Sequence, residues 1–234
     1  MKKFILISAL SILFMACING QRGNGNIITE KRNVAAFTKV SVATSIVVDI
    51  LQSSQTLVTV EADENLIKYI ETEVVDGELQ IRLKSVSISN YATIKVHITA
   101  PVFESLKVSS SAEIISNAPV TATDIISLAA SSSANIAVQL NAPKVNITAS
   151  SSSEIKASGQ AKIINVDANS SALVNAENLK AETATVLASS SGEVVLFASL
   201  SITANANSSG TISYTGGASN VIKNENSSGK IVKL

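Results

Sequence analysis

The chain has 234 residues, with 18 basic and 18 acidic side chains, and 46% of its residues are apolar. This apolar content excludes an intrinsically disordered chain, and the length suits one domain or two small ones. There is no basic patch and only 3% of the residues are aromatic, which argues against nucleic-acid binding. A single cysteine excludes an intramolecular disulfide, so stability must come from burial and backbone pairing.

The N-terminus is typical of an export signal. Lys2 and Lys3 precede an apolar run over 4–16, which is too short to span a bilayer as a helix. We therefore predict that the protein leaves the cytoplasm. Once the two lysines are removed, 16 basic residues face 18 acidic ones, a formal charge of −2.

The only cysteine, Cys17, stands directly after this apolar run, as in a bacterial lipobox. We therefore predict a lipoprotein-like signal over 1–17 with lipidation at Cys17. The alternative is a non-lipidated signal that is cut after Gly20. The polar, glycine-rich stretch 18–26 is interpreted as a tether or an approach to a sheet edge.

The part of the chain over 27–104 is predicted to be β structure without a regular repeat. The alternating pattern from Val40 to Ile50, apolar at every second position except Thr44, predicts one strand, and a shorter strand follows over 57–61. Asp63 is placed to cap a single helical turn. Two strand-forming runs on either side of Asp76-Gly77 predict a hairpin with a type I′ turn.

A last strand of this part is predicted over 91–100, with Pro101 ending it because proline lacks an N–H donor. His97, the only histidine, alternates with inward-facing apolar residues and is expected to point to solvent. The segments 37–42 and 103–108 have the same form, beginning with Phe and ending with Val. This similarity predicts that the two segments form the same part of a rung, at its start.

A serine-rich phrase then recurs seven times over 105–234. Each copy ends on an aliphatic residue, and these residues are 22, 19, 19, 20, 18 and 19 positions apart. They are Ile114, Ile136, Ile155, Val174, Val194, Ile212 and Ile231. No helical pattern lies between the copies, which excludes alternating strands and helices. The repeat therefore predicts an all-β parallel solenoid with rungs of about 19 residues, in one domain over 27–234.

Aligned on the closing aliphatic, the copies alternate with a period of two. Positions eight, four and two residues earlier are predicted to face inward. The first is apolar, the second is always serine (Ser110, Ser132 and their equivalents), and the third is small. In the last copy Lys223 and Glu225 replace inward apolar residues, which suits a rung that caps an exposed end.

The order of several short motifs resembles a known bacterial family. The phrase Arg32-Asn-Val-Ala-Ala-Phe37 is followed by Val60-Glu-Ala-Asp-Glu-Asn-Leu66, Gly77-Glu-Leu-Gln-Ile81, Ile98-Thr-Ala-Pro101 and the serine-rich repeats. Over about 27–234 this is similar to the family called putative auto-transporter adhesin, head GIN domain. The resemblance implies a β-solenoid-like protein that is exported, often as a lipoprotein. It carries over no catalytic residues.

The sequence offers little enzyme chemistry. Glu113, Glu154 and Glu193 share one outward column, predicted to lie two rungs apart, at the edge of the separation that inverting glycosidases use. The same column also holds Asn, Leu, Thr and Lys, and no arginine, histidine or aromatic residue accompanies it. We therefore predict no catalytic residues, no cofactor and no metal site, since a lone histidine without cysteine partners does not make one.

The function predicted is that of a non-enzymatic cell-envelope protein, adhesin-like, that binds a glycan or another protein. A carbohydrate-active enzyme and a purely structural envelope module remain the alternatives. The predicted partners are the membrane, through a lipid on Cys17, and a glycan or envelope protein. The predicted location is the outer membrane, on either its periplasmic or its surface face.

Overall fold

A computed structural model of the protein describes residues 20–84, 87–89, 91 and 93–234. Strands form most of it, and a short 3₁₀ turn covers Ile67–Tyr69. The strands before the regular repeat are β1 (Gln21–Arg22), β2 (Ile27–Arg32), β3 (Lys39–Val42), β4 (Val47–Gln52), β5 (Leu57–Asp63), β6 (Ile70–Val75), β7 (Glu78–Leu83), β8 (Ile88–Ser89) and β9 (Lys95–Ala100). The strands of the repeat are β10 (Ser105–Val108), β11 (Glu113–Ile115), β12 (Val120–Thr121), β13 (Ile125–Ala130), β14 (Asn135–Ala149), β15 (Glu154–Ala168), β16 (Leu173–Ala188), β17 (Glu193–Ala206), β18 (Thr211–Thr215), β19 (Asn220–Glu225) and β20 (Lys230–Lys233).

The repeat forms a parallel β-solenoid of about seven turns with rungs of about 19 residues, which confirms the predicted fold class. Successive copies pair in register, so that Ile155 lies beside Ile136 on one side and Val174 on the other. All seven closing aliphatic residues are buried. Stacked Ala, Val, Ile and Leu side chains therefore fill the interior, and the chain needs few large aromatic residues in its core.

Each of the seven rungs contains a turn built on two consecutive serines. In the third copy, Ser151 and Ser152 have φ angles of +54° and +58°, and the N–H of Ser153 donates to the C=O of Ser150. Two left-handed residues closed by this hydrogen bond are the signature of a type I′ turn. The pairs are Ser110–Ser111, Ser132–Ser133, Ser151–Ser152, Ser170–Ser171, Ser190–Ser191, Ser208–Ser209 and Ser227–Ser228.

The predicted inward serine ladder (Ser110, Ser132 and their equivalents) is wrong, because both serines of every pair are exposed. Counting by twos fails inside the turn, where both central residues are exposed, and holds again from the small residue that follows. The small residue that follows each pair does face inward, as predicted: Ser153 is 1% exposed, and its hydroxyl donates to the C=O of Ala130. A buried serine in this column is thereby satisfied.

The turn occurs once more, at Thr44–Ser45, where the sequence predicted one continuous strand. These residues have φ angles of +67° and +54°, and they separate β3 from β4. The predicted strand from Val40 to Ile50 is therefore wrong as a single element. The predicted equivalence of 37–42 and 103–108 is confirmed, because β3 and β10 pair in parallel with Val40 opposite Leu106.

The first rungs do not follow chain order in space. Strand β3 pairs with β7 on one side and β10 on the other, and β4 pairs likewise with β9 and β11. The rung of β3 and β4 is thus inserted between a rung made by the later strands β7 and β9 and the start of the regular repeat. The segments 37–42 and 103–108 are similar in sequence because β3 and β10 occupy equivalent places in neighbouring rungs.

Antiparallel strands close the N-terminal end of the stack. Strand β6 pairs with β7 around the turn at Asp76–Gly77, which confirms the predicted hairpin, and β5 pairs with both β2 and β9. The predicted role of Asp63 as a helix cap is wrong: the 3₁₀ turn starts after Leu66. Asp63 is instead buried, and its carboxylate accepts the N–H of Gly25 at 2.6 Å. The described residues 20–26 therefore pack against this end.

The C-terminal end is built differently. Strands β19 and β20 each pair with one neighbour among the described strands, β17 and β18 respectively. The side chains of Lys223 and Glu225 are exposed at the positions that stack on the buried Ala204 and Ala206. The predicted polar substitution of the last rung is therefore present at the open end of the core. No helix among the described residues is long and apolar enough to cross a membrane.

Candidate binding groove

A corner in each long strand defines a concave feature of the solenoid. In β14 the buried residues Ala142 and Val145 are three positions apart instead of two, and Ala161 and Ile164 repeat this spacing in β15. An odd spacing between inward residues means that the strand bends there. The bends stack on one another and form a groove of about 560 Å³ that runs along the solenoid axis, which we call the corner groove.

The floor of the corner groove consists of alanines, and its walls are mostly polar. Along one wall the strand register places one hydrogen-bonding or aromatic side chain on each rung. This ladder consists of Thr121, Asn141, Gln160, Lys180 and Phe197. Neighbouring members are one rung apart, about 4.8 Å. The opposite wall is formed by Thr123, Pro143, Lys162, Glu182 and Ser199.

At its N-terminal end the corner groove opens into a second cavity of about 500 Å³, which shares Thr121 and Thr123 with it. The carboxylates Glu104 and Asp124 line this second cavity. The side-chain amide of Gln52 accepts the N–H of Thr121 at 2.8 Å and donates to the C=O of Thr121 at 2.9 Å. These two hydrogen bonds tie the first rung of the groove to the N-terminal part of the solenoid.

Charge is distributed unevenly along the corner groove. Lys162 and Lys180 line its central part together with Glu182, whereas the second cavity carries only carboxylates among its charged lining residues. The Lys180 ammonium lies 4.3 Å from the centroid of the Phe197 ring and donates to the C=O of Glu177 at 3.1 Å. Within the described parts of the chain, neither lysine has a carboxylate oxygen within 4.0 Å.

Sequence reasoning did not single out the residues of the corner groove, and the reason is geometric. Copies differ in length between the closing aliphatic and the corner, where the register shifts by bulges between β15 and β16 and between β16 and β17. Columns counted from the aliphatic therefore lose alignment before they reach the groove. Anchoring the alignment on the corner alanines as well, such as Ala161 and Ala181, would have brought Gln160 and Lys180 together.

The carboxylate column predicted on the outer face has the expected register. Glu113 and Glu154 both flank Asn135, and Glu154 and Glu193 both flank Leu173, so each pair is two rungs apart. Glu154 forms an ion pair of 2.9 Å with Lys156 on its own strand. This column lies outside the corner groove.

His97 lies on the outer face, as predicted, and bridges three strands of the N-terminal part. Its Nδ1 is 3.3 Å from Asp49 Oδ2 on β4, and its Nε2 is 3.8 Å from Glu61 Oε2 on β5. All three side chains are at least one third exposed. In the described portion of the protein, no three His, Cys, Asp or Glu side chains are grouped so that they would hold a metal ion. Cys17 and the predicted signal 1–17 lie outside the described residues.

Three solved structures share the fold over nearly the whole described chain. A putative adhesin from Bacteroides fragilis is 22% identical, with a TM-score of 0.87 over 92% of this chain and 100% of that chain. A putative lipid binding protein from Parabacteroides distasonis is 24% identical, with a TM-score of 0.74 over 91% and 98%. A putative adhesin from the same species is 24% identical, with a TM-score of 0.72 over 92% and 100%. At these identities the likeness establishes the fold alone.

No curated protein matches the chain. A family match covers residues 36–218, well over half of the 234 residues, and its description agrees with the resemblance noted from the sequence motifs. The similar structures described as adhesins have the same solenoid. The chain therefore belongs to the family described as putative auto-transporter adhesin, head GIN domain.

Proposed function

We propose that the protein is an exported, non-enzymatic envelope protein that binds a linear glycan along the corner groove. The observation that carries the proposal is the ladder formed by Thr121, Asn141, Gln160 and Lys180, which presents a hydrogen-bonding group on each successive rung. A polymer that lies parallel to the axis meets these groups at regular intervals of about 4.8 Å. Membership of a family described as adhesins supports a binding role.

The chemistry of the corner groove favours a glycan over a peptide. Peptides that bind to sheets commonly add a strand to a free backbone edge. At the groove the backbones of β14, β15 and β16 are paired on both sides, so the edge is not available. Recognition must therefore come from side chains, and amides, hydroxyls and ammonium groups suit the many hydroxyls of a sugar chain.

The arrangement of carboxylates favours binding over cleavage. Asp124 directly precedes β13 and Glu182 lies on β16, three rungs further along the axis. That separation is about 14 Å, beyond the roughly 6.5–9.5 Å of inverting pairs. The outer column of Glu113, Glu154 and Glu193 lies away from the corner groove.

The test is a glycan-binding screen with the wild-type protein and the variant Asn141→Ala. We expect binding of at least one linear glycan, without release of shorter products, and affinity weakened about two- to tenfold by Asn141→Ala, the effect of one hydrogen bond. Asn135→Ala is the matched control, because Asn135 is an equally exposed amide on the same strand but outside the groove. Turnover of the bound glycan, or equal losses in both variants, would contradict the proposal.

A further inference from the structure

We infer that the glycan held by the corner groove is acidic, and that its anionic groups bind between Lys162 and Lys180. This inference rests on the proposed function, because it assigns a ligand class to the same site. It starts from the placement of two ammonium groups on opposite walls of one groove. Lys180 lies opposite Gln160 on the neighbouring rung, and Lys162 is two positions after Gln160 on the same strand.

Lys180 is held in place before any ligand arrives. Its ammonium is stabilised by the face of the Phe197 ring at 4.3 Å and by the C=O of Glu177 at 3.1 Å. An ammonium has three donors, and the structure assigns one of them to a carbonyl. The remaining donors are free to bind an anion, and less side-chain freedom is lost than for an unrestrained lysine.

Among the described residues, no carboxylate lies close enough to neutralise the ammonium groups of Lys162 and Lys180. Neither Lys162 nor Lys180 has a carboxylate oxygen within 4.0 Å among the described residues, whereas Lys107 and Lys156 each have one at 2.9 Å or less. Within the described part of the chain, Glu182 is the only acidic residue that lines the central part of the groove. The balance there is positive, against a formal charge of −2 for the chain without Lys2 and Lys3. A local positive field selects anions.

The same distribution orients the ligand. Glu104 and Asp124 make the N-terminal cavity negative, so an acidic sugar is disfavoured there and favoured beside β15 and β16. The bound polymer is therefore expected to carry its anionic group towards the C-terminal end of the groove. The part of the polymer in the N-terminal cavity is expected to consist of neutral or amine-bearing sugars, because Glu104 and Asp124 repel an acidic sugar there.

The test uses matched pairs of oligosaccharides with the same backbone. Oligogalacturonate is compared with its methyl ester, alginate oligosaccharides with their carboxyl-reduced forms, and dextran sulfate with dextran. The first two pairs report on carboxylates and the third on sulfate. We expect an acidic member to bind about tenfold more tightly than its neutral partner, as two ion pairs exposed at the protein surface would give, and this preference should shrink as salt increases.

The variant Lys162→Gln/Lys180→Gln should remove most of this preference, while the affinity for the neutral partner falls only about two- to tenfold, as expected for one lost hydrogen bond. The control Lys156→Gln/Lys230→Gln makes the same change in net charge outside the groove and should keep the preference. Thermal unfolding of both double variants checks that the fold is retained. Equal binding of acidic and neutral members, or a preference that survives Lys162→Gln/Lys180→Gln, overturns the inference while the proposed function stands. Failure of every glycan to bind overturns both.

Discussion

The two serines of each turn adopt a backbone conformation that usually favours glycine or asparagine. A left-handed conformation costs an L-residue about 1–2 kcal/mol, and such residues persist where the surrounding structure over-determines them. Here the left-handed conformation is held by a ladder of backbone hydrogen bonds between successive turns. The N–H of the second serine in each copy donates to the C=O of the first serine in the next copy, at 3.0–3.1 Å through six successive copies. Each turn is therefore held by the turn that follows it.

This leads to a prediction for Ser171, which has a φ of +61° in the middle of the solenoid. Ser171→Val should lower the unfolding free energy by about 1–3 kcal/mol, because a β-branched residue is strained at positive φ. Ser171→Gly should cause little loss. Thr148→Val, on an exposed strand position, is the control and should be neutral. Chemical denaturation measures all three, and a midpoint for Ser171→Val equal to that of Thr148→Val would refute the role given to the turn.

At the scale of elements, the two ends of the solenoid differ in how they are closed. The N-terminal end is covered by the antiparallel strands β2, β5 and β6, whereas β19 and β20 leave backbone groups unpaired within the described structure. An open edge is a template for association with another chain, and inward-pointing charges are one way to prevent it. Lys223 is held over the Tyr214 ring at 5.0 Å, and Glu225 accepts the N–H of Ile231. These contacts keep both charges above the end of the core.

We predict that Lys223→Leu/Glu225→Val converts this end into an apolar edge that self-associates. Sedimentation velocity at increasing protein concentration should show oligomers for this variant and none for the wild type. The control Lys156→Leu/Glu154→Val changes the same residue types two positions apart on β15, whose edges are both paired. If this control associates to the same extent, surface hydrophobicity and not the open edge is responsible.

At the scale of the whole molecule, the described segment 20–26 lies at the closed end of the stack. Asn65 links the segment 20–26 to the turn after β5: its side-chain oxygen accepts the N–H of Asn24, and its amide donates to the C=O of Arg22. Strand β1 also pairs with β8. If Cys17 carries a lipid, only a few residues separate it from this end, so the open end and the C-terminal part of the corner groove point away from the membrane.

We predict that Cys17 anchors the protein through its lipid. Cells that express the wild-type protein should incorporate a labelled fatty acid into it and retain it in the membrane fraction. Cys17→Ser should abolish the label and release the protein. Protease shaving of intact cells then distinguishes the surface face from the periplasmic face. A wild-type protein that stays unlabelled and soluble would instead favour the alternative signal that is cut after Gly20.

The parallel stack was predictable because it depends on a local rule that repeats. The closing aliphatics, such as Ile136 and Ile155, recur at nearly constant intervals, and identical residues on adjacent parallel strands superpose. The direction of Ser110 was not predictable from alternation, because two left-handed residues reverse the chain without leaving a mark in the hydrophobic pattern. Nor was the insertion of β3 and β4 between later strands, since it is set by which strand edges meet in space.

The sequence by itself therefore determined the class of fold, the repeat and the polar closing rung at Lys223. Only the tertiary structure decided which side chains share the corner groove. The members of its ladder, such as Gln160 and Lys180, are separated by bends and bulges of variable length, and a pattern counted along the chain does not cross these. Parallel pairing aligns them because backbone hydrogen bonds between rungs restore the register on both sides of each bulge.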